Sequence, residues 1–396
     1  MNYDYPPLPS PYRNGIGFKI SDTSFAIQAG DTSSPSLLSN LNLIDLLSHN
    51  WTSPSLQGVQ PSPRARMSVS INTTTNIAYF YGGRTELTQS PMNYFNSFYN
   101  FDIKTLTWNW PKVFYFGGIR PARYGHSSNL ISNRLFIMGG KTTIFSSELN
   151  AWTFSPSDFQ SILVYDTTQH QAVTMATIGD VPPARYSFST VNAPDGESIV
   201  LFGGQNATSL QDIFDASNDV YILNTCTLNW SQPIIKGNPP IARAGHEAIV
   251  YKNRYMIVMM GIQNFVSGIG PVYIDDIAIL DMKTWTWISS ISEDKDFVSV
   301  PNCRFTFPIV LSDNNTTSIN NDGSSNNNMT TVSNPHLNSS TKQLALGITF
   351  GILGFLLLTT AFVIFIMKVR KDIDPKQNPR WIPSVLKKNM DSRQHA

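Results

Sequence analysis

The side chains able to do chemistry are few and scattered. The six histidines are His49, His126, His170, His246, His336 and His395, too widely spread to place several imidazoles around one ion. Two cysteines, Cys226 and Cys303, are too few for a disulfide framework and lack the paired spacing of a zinc site. The acidic pairs Asp275-Asp276 and Glu293-Asp294 have no partner at a spacing suited to acid–base work. These residues indicate neither a catalytic centre nor a metal or cofactor site. Lys plus Arg number 28 against 27 Asp plus Glu, and charged residues are 14% of the chain, so no electrostatic footprint for nucleic acid exists. Eight N-x-[ST] sequons fall at Asn50, Asn72, Asn206, Asn229, Asn314, Asn315, Asn328 and Asn338. All are glycosylation candidates if the chain enters the secretory pathway.

What does recur is a scaffold. An Arg followed two residues later by Gly or Ser appears at Arg13, Arg66, Arg123, Arg185 and Arg243, at intervals of 53, 57, 62 and 58 residues. After each comes a β-rich run ending in small residues, at Gly30, Gly83, Gly140, Gly204 and Gly261. A third strand then ends in Asp or Asn, with a Trp six residues on: Asp45 and Trp51, Asp102 and Trp108, Asn224 and Trp230, Asp281 and Trp287. The third module keeps Asp166 but has Ala172 in place of the Trp. Each module predicts four short strands, and one such sheet cannot bury both faces without neighbours.

The Gly pair, the Asp and the Trp six residues beyond it resemble the kelch repeat, over Arg13 to about Phe297. The resemblance implies an all-β fold, a kelch-type β-propeller of five recognisable blades. The modules are 13–63, 64–119, 120–181, 182–240 and 241–299, with Ala29-Gly30, Met260-Gly261 and Ala172 as departures. A sixth start at Arg304 is followed by one strand, 305–311, so six blades are expected, with the missing strands supplied upstream of Met1. A five-bladed ring closed without them is the alternative. On this layout Cys226 and Cys303 lie on opposite faces of the ring and do not pair.

Two surfaces are candidates for binding. Arg66, Arg123, Arg185 and Arg243 share one ring position, where guanidinium groups would form a basic mouth for an acidic ligand, or else serve as scaffold. From the Gly to the strand-ending Asp or Asn, the modules span 15, 19, 26, 20 and 20 residues. The longest loop carries Phe145, Trp152, Phe154 and Phe159, which either contact a protein or glycan partner or cover the Trp-less third blade.

Beyond the propeller (1–311), residues 312–343 are Asn-, Ser- and Thr-rich and read as a flexible stalk. Residues 344–367 carry no charge for 24 positions, the length of a transmembrane helix. The tail, 368–396, holds eight basic and three acidic residues. Positive charge stays cytosolic, so the expected topology is single-pass, with the propeller extracellular or lumenal. Gly347 and Gly351 form a small-xxx-small pattern suited to a homodimer. The expected function is non-catalytic recognition of protein or carbohydrate partners from a membrane. Two alternatives stand. The propeller is similar to that of galactose oxidase, which implies a copper-radical or glycan-acting enzyme of the secretory pathway. A cytosolic, tail-anchored adaptor is the other.

Overall fold

Alternation of apolar and polar residues in short runs produces strands here and nothing else. The computed structural model describes residues 12–28, 30–32, 41–85, 92–117, 120–208, 214–266 and 268–291. Among them there is no helix, and so none long and apolar enough to cross a membrane. The chain divides into two units, Met1–Ser312 and Asp313–Ala396, and every described residue belongs to the first. The apolar run 344–367 with Gly347 and Gly351, the stalk and its sequons Asn314, Asn315, Asn328 and Asn338, the basic tail and the sixth repeat start lie outside the described residues.

Five sheets, each built on four antiparallel strands, follow one another along the chain; the second, third and fourth carry a fifth, parallel strand on the outer edge, Gln57–Gly58, Phe114–Phe116 and Ile178–Gly179. The first runs Ile16–Lys19, Ser24–Gln28, Leu41–Asp45, Asn50–Thr52. The second runs Ser68–Asn72, Ile77–Tyr81, Phe98–Asp102, Thr107–Asn109. The third runs Ser127–Ile131, Arg134–Met138, Ser161–Asp166, Gln171–Ala176. The fourth runs Ser189–Asn192, Ser198–Phe202, Val220–Asn224, Asn229–Ser231, and the fifth Glu247–Tyr251, Tyr255–Met259, Ile277–Asp281, Thr286–Ile288. The first strand of each sheet neighbours its counterpart in the next, as Asn129 Nδ2 donating to Asn192 Oδ1 at 3.0 Å shows. These sheets are the blades of a propeller.

The repeated residues now acquire reasons. In every blade the Asp or Asn caps the turn into the outer strand by accepting backbone N–H bonds. Asp102 Oδ1 takes those of Lys104 and Thr105 at 2.9 and 3.0 Å, and Asn224 Oδ1 those of Cys226 and Thr227 at 3.0 Å each. The Trp two residues into the outer strand then fills the seam with the preceding blade. Trp230 lies against Phe159 of the third blade, and Trp287 against Phe202 of the fourth. Glycine is required at the first position of the pair because a Cβ on Gly82 would sit 2.5 Å from the Arg123 carbonyl of the next blade. The Trp-less third blade fills the corresponding space with tyrosines: Ala172 is buried in a cluster containing Tyr79, Tyr81 and Tyr165, with Tyr115 packed against it.

Cys226, in the turn after Val220–Asn224, is disulfide-bonded. The expectation that Cys226 and Cys303 do not pair turns on Cys303, which lies outside the described residues.

Candidate functional site

The structure shifts the arginine register in the second blade. Arg64, not Arg66, occupies the position of Arg123, Arg185 and Arg243. All four are buried, and each donates to the carbonyl of the residue at the first Gly position of its own blade. The bonds run from Arg64 to Gly82 at 3.3 Å, Arg123 to Gly139 at 2.7 Å, Arg185 to Gly203 at 3.1 Å and Arg243 to Met260 at 3.1 Å. Arg123 adds Ser157 Oγ at 2.5 Å, while Arg185 and Arg243 make two-pronged pairs with Asp219 and Asp276. These guanidinium groups tie strand ends together and do not face solvent, so Arg123, Arg185 and Arg243 do not form the basic mouth. His126 and His246 are likewise internal: their Nε2 atoms meet Ser68 and Ser189 of the preceding blades at 2.9 and 2.8 Å. Burial, and then the neighbouring arginine, holds both imidazoles neutral, His246 down to about 3.

Two residues beyond the repeat arginine in the second to fifth blades, and two beyond Tyr12 in the first, the backbone links one blade to the next. Asn14, Arg66, Gly125, Ser187 and Gly245 all have φ between 54 and 63°. Each backbone N–H donates to the carbonyl of its predecessor: Arg66 to Asn14, Gly125 to Arg66, Ser187 to Gly125 at 3.0 Å each, and Gly245 to Ser187 at 2.7 Å. Arg66 is the long side chain of this backbone chain, and it reaches past the third blade to donate to Ser187 Oγ at 3.1 Å. Beside it the Lys141 ammonium lies 4.4 Å over the Tyr186 ring. Burial and the Arg66 charge lower the Lys141 pKa, and burial pushes the Tyr124 hydroxyl up to about 12.

Outward from this mouth stands a hairpin between the second and third strands of the third blade; the fifth blade has a shorter one at the same place, Ile262–Val266 paired with Gly270–Tyr273. Lys141–Ser146 pairs with both Ala122–Tyr124 and Ala151–Pro156. Phe145 and Phe154 are 49% and 52% exposed, joined by exposed Ile144 and Leu149. Trp152 is the half-buried anchor. Its Nε1 donates to the Met92 carbonyl at 2.9 Å, and its ring meets Phe145 at 5.4 Å and Tyr94 at 5.0 Å. Tyr94, from the second blade, also contacts Phe154 at 5.3 Å and Tyr124 at 5.4 Å. Phe159 departs from expectation: it is fully buried against Phe188 and Trp230, and so belongs to the seam between the third and fourth blades. The aromatic platform is therefore Phe145, Trp152 and Phe154 plus Tyr94 and Tyr124, two residues that come from other segments and carry no repeat signal of their own.

Of the sequons on the blades, Asn50 and Asn229 are exposed on outer strands. The Asn72 and Asn206 side chains cap local turns, Asn72 Oδ1 accepting from Thr74 and Thr75 at 3.0 and 3.1 Å and Asn206 Oδ1 from Thr208 at 2.9 Å.

A succession of blades joined by their first strands and held by internal arginines, with variable loops on one face, defines the kelch class of propeller. The KLHDC2/KLHL20/DRC7 kelch-repeats domain model matches residues 18–214 and 143–315, and the chain belongs to that family. It is 28% identical over 247 residues to acyl-CoA-binding domain-containing protein 5 of Arabidopsis thaliana, covering 60% of this chain and 33% of that protein. To the host cell factor of Drosophila melanogaster it is 22% identical, covering 75% of this chain and 20% of that protein. To kelch domain-containing protein 3 of Bos taurus it is 29% identical over 177 residues, covering 42% of this chain and 40% of that protein. The chain thus spans well under half the length of these curated relatives. Among solved structures, that of YjhT shares the fold at a TM-score of 0.51 and 15% identity, covering 74% of this chain and 88% of that one. Kelch homologues suggest a protein-interaction module.

Proposed function

We propose that the chain is a non-catalytic recognition module displayed on a membrane, binding protein partners through the face that carries the third-blade hairpin. The observation that carries this is the exposure of Phe145 and Phe154 on a hairpin whose base is anchored by Trp152. Large aromatics held rigidly at a surface supply contact area at little entropic cost. The membrane part of the reading rests on the uncharged run 344–367 and the basic tail after it. The disulfide at Cys226 supports an extracellular or lumenal propeller, since such bonds persist in oxidising compartments.

Two experiments test this. The paired substitution Phe145→Ser and Phe154→Ser should abolish proximity labelling of partners by the full chain in its host while leaving its thermal unfolding unchanged; unaltered labelling refutes the platform. For topology, glycosidase should shift the full chain on a gel, and Asn→Gln changes at Asn314, Asn315, Asn328 and Asn338 should remove most of the shift. No shift from a membrane-bound protein would instead favour a cytosolic adaptor.

A further inference from the structure

The seam between the fourth and fifth blades is missing a piece that the seam before it has. Ser157 and Ser217 are equivalent residues, each donating its backbone N–H to the carbonyl of the second Gly of its blade, Gly140 at 3.0 Å and Gly204 at 2.9 Å. From there to the turn-capping residue, Asp166 or Asn224, the third blade is two residues longer. The extra length carries Phe159. Its ring meets Trp230 edge-on at 5.5 Å, and its carbonyl accepts from Trp230 Nε1 at 3.3 Å and from Thr177 Oγ1 at 2.5 Å. The fourth blade has only Asn218 between Ser217 and Asp219, and no such residue to offer Trp287. Trp287 is 7% exposed, and its Nε1 donor has no hydrogen-bond partner among the described residues. Beside it opens a cleft of about 250 Å³, walled by Val220, Pro233, Ile235 and Trp287 and rimmed by exposed Asn218 and Gln232.

Resting on the recognition reading above, we infer that this cleft is a second contact site, which takes an aromatic side chain of a protein partner and sets that residue's main-chain carbonyl on Trp287 Nε1. Phe159 is the template: it gives Trp230 both a ring and an acceptor, and the partner residue would give Trp287 the same two things. A buried donor without an acceptor is costly, so binding that brings one is favoured. Asp219 also lines the cleft, but Arg185 engages both its carboxylate oxygens, which leaves no unmatched charge in the wall and suits a neutral ring. The volume falls below the roughly 300–1,000 Å³ of pockets for drug-sized ligands and matches a single side chain. Next in sequence to the lining residues, Ile234 is 88% exposed, and Ile241, shortly after them, is 50% exposed. A folded partner covers such apolar neighbours as its anchor enters. The cleft lies at the start of Val220–Asn224, the end of the blade at which the third-blade hairpin leads into Ser161–Asp166, so the two sites share a face.

The probe is N-acetyl-L-phenylalaninamide, titrated onto the full chain in detergent with its tryptophans isotope-labelled for NMR. One indole N–H signal, the one that Trp287→Phe removes, should shift saturably, and N-acetyl-L-alaninamide should leave it in place. Trp287→Phe, which keeps a ring but no donor, should weaken the probe about tenfold in ligand-observed spectra. Replacing Asn218 by the tripeptide Asp-Phe-Gln, the third blade's own lead-in, should fill the cleft and abolish probe binding without lowering the melting temperature. A silent Trp287 signal, an equal response to the alanine compound, or binding that survives the graft overturns the inference. Should the graft unfold the chain, Trp287→Phe decides alone, and unchanged probe affinity overturns it. Proximity labelling in the host separates this site from the platform. Labelling lost with Phe145→Ser and Phe154→Ser but intact in the graft keeps the platform and overturns the cleft. Labelling untouched by either, with the probe still bound, refutes the recognition reading and leaves a site for a free aromatic compound, which overturns its assignment to a partner protein.

Discussion

The seam between the fourth and fifth blades and the far flank of the fifth blade are built from equivalent positions, yet they end in opposite states. On the fourth blade Val191 and Val220 are 5% and 2% exposed, because Met256, Val258, Leu280 and Trp287 of the fifth pack onto that face. Their counterparts on the fifth blade, Ile249 and Ile277, are 50% and 65% exposed. The residue types do not distinguish the two faces; the presence of a following blade does. The same contrast accounts for Met260. At the equivalent Gly203, a Cβ would lie 2.7 Å from His246 and 2.9 Å from the Arg243 carbonyl, whereas the Met260 side chain is 66% exposed. A glycine demanded by a neighbour is dispensable where no described neighbour stands.

The contrast can be broken most directly by emptying the closed seam. Trp287→Ala should cost about 3–5 kcal/mol, and Ile277→Ala less than about 1 kcal/mol, read as urea midpoints at constant slope. Equal losses would mean that the flank is covered in solution. Next in size, Gly203→Ala sets a Cβ against the fifth blade on a backbone with φ of 66° and should cost about 2–4 kcal/mol. Met260→Gly should barely move the melting temperature. Arg64→Ala, which strips the bonds to Gly82 and Ser97, should cost about 2–3 kcal/mol, while Arg66→Ala should cost less than about 1 kcal/mol. The reverse order would restore Arg66 to the scaffold register. The smallest effect is acid sensitivity of the closed seams. The His246 pKa is lowered from 6.5 to about 3 in the fold, so its stabilising contribution is full above pH 6.5 and is lost as pH falls toward about 3. His246→Phe, which repeats what Phe188 does one blade earlier, should flatten the melting temperature between pH 6.5 and 5.

The blades were legible in the sequence because their markers are local. Asp102 caps a turn two and three residues away, and Trp108 enters the strand just after it. The arginine register was not, because a small residue two positions later, the mark of the repeat in the other blades, follows Arg66 in Ser68 and does not follow Arg64. The position two beyond the true repeat arginine holds Arg66, Gly125, Ser187 and Gly245, and two beyond Tyr12 in the first blade stands Asn14; what these share is a backbone angle. Phe159 was misplaced for a related reason: an aromatic in a long loop reads as surface until a tryptophan 71 positions later closes over it. Tyr94, Tyr124 and Lys141 meet only because two blades are adjacent, and nothing in their spacing announces it.

That central chain of peptide groups has an evolutionary corollary. Since main-chain atoms do the joining, the side chain at each of these positions is excused from structural duty and is limited only by its tolerance of a left-handed conformation, about 1–2 kcal/mol for a residue bearing a Cβ. The axis is therefore the place where a propeller of this kind can exchange one chemical character for another without rebuilding its blades. Arginine at position 66 is one setting of that dial; asparagine, serine and glycine at the sister positions are others already compatible with the same backbone.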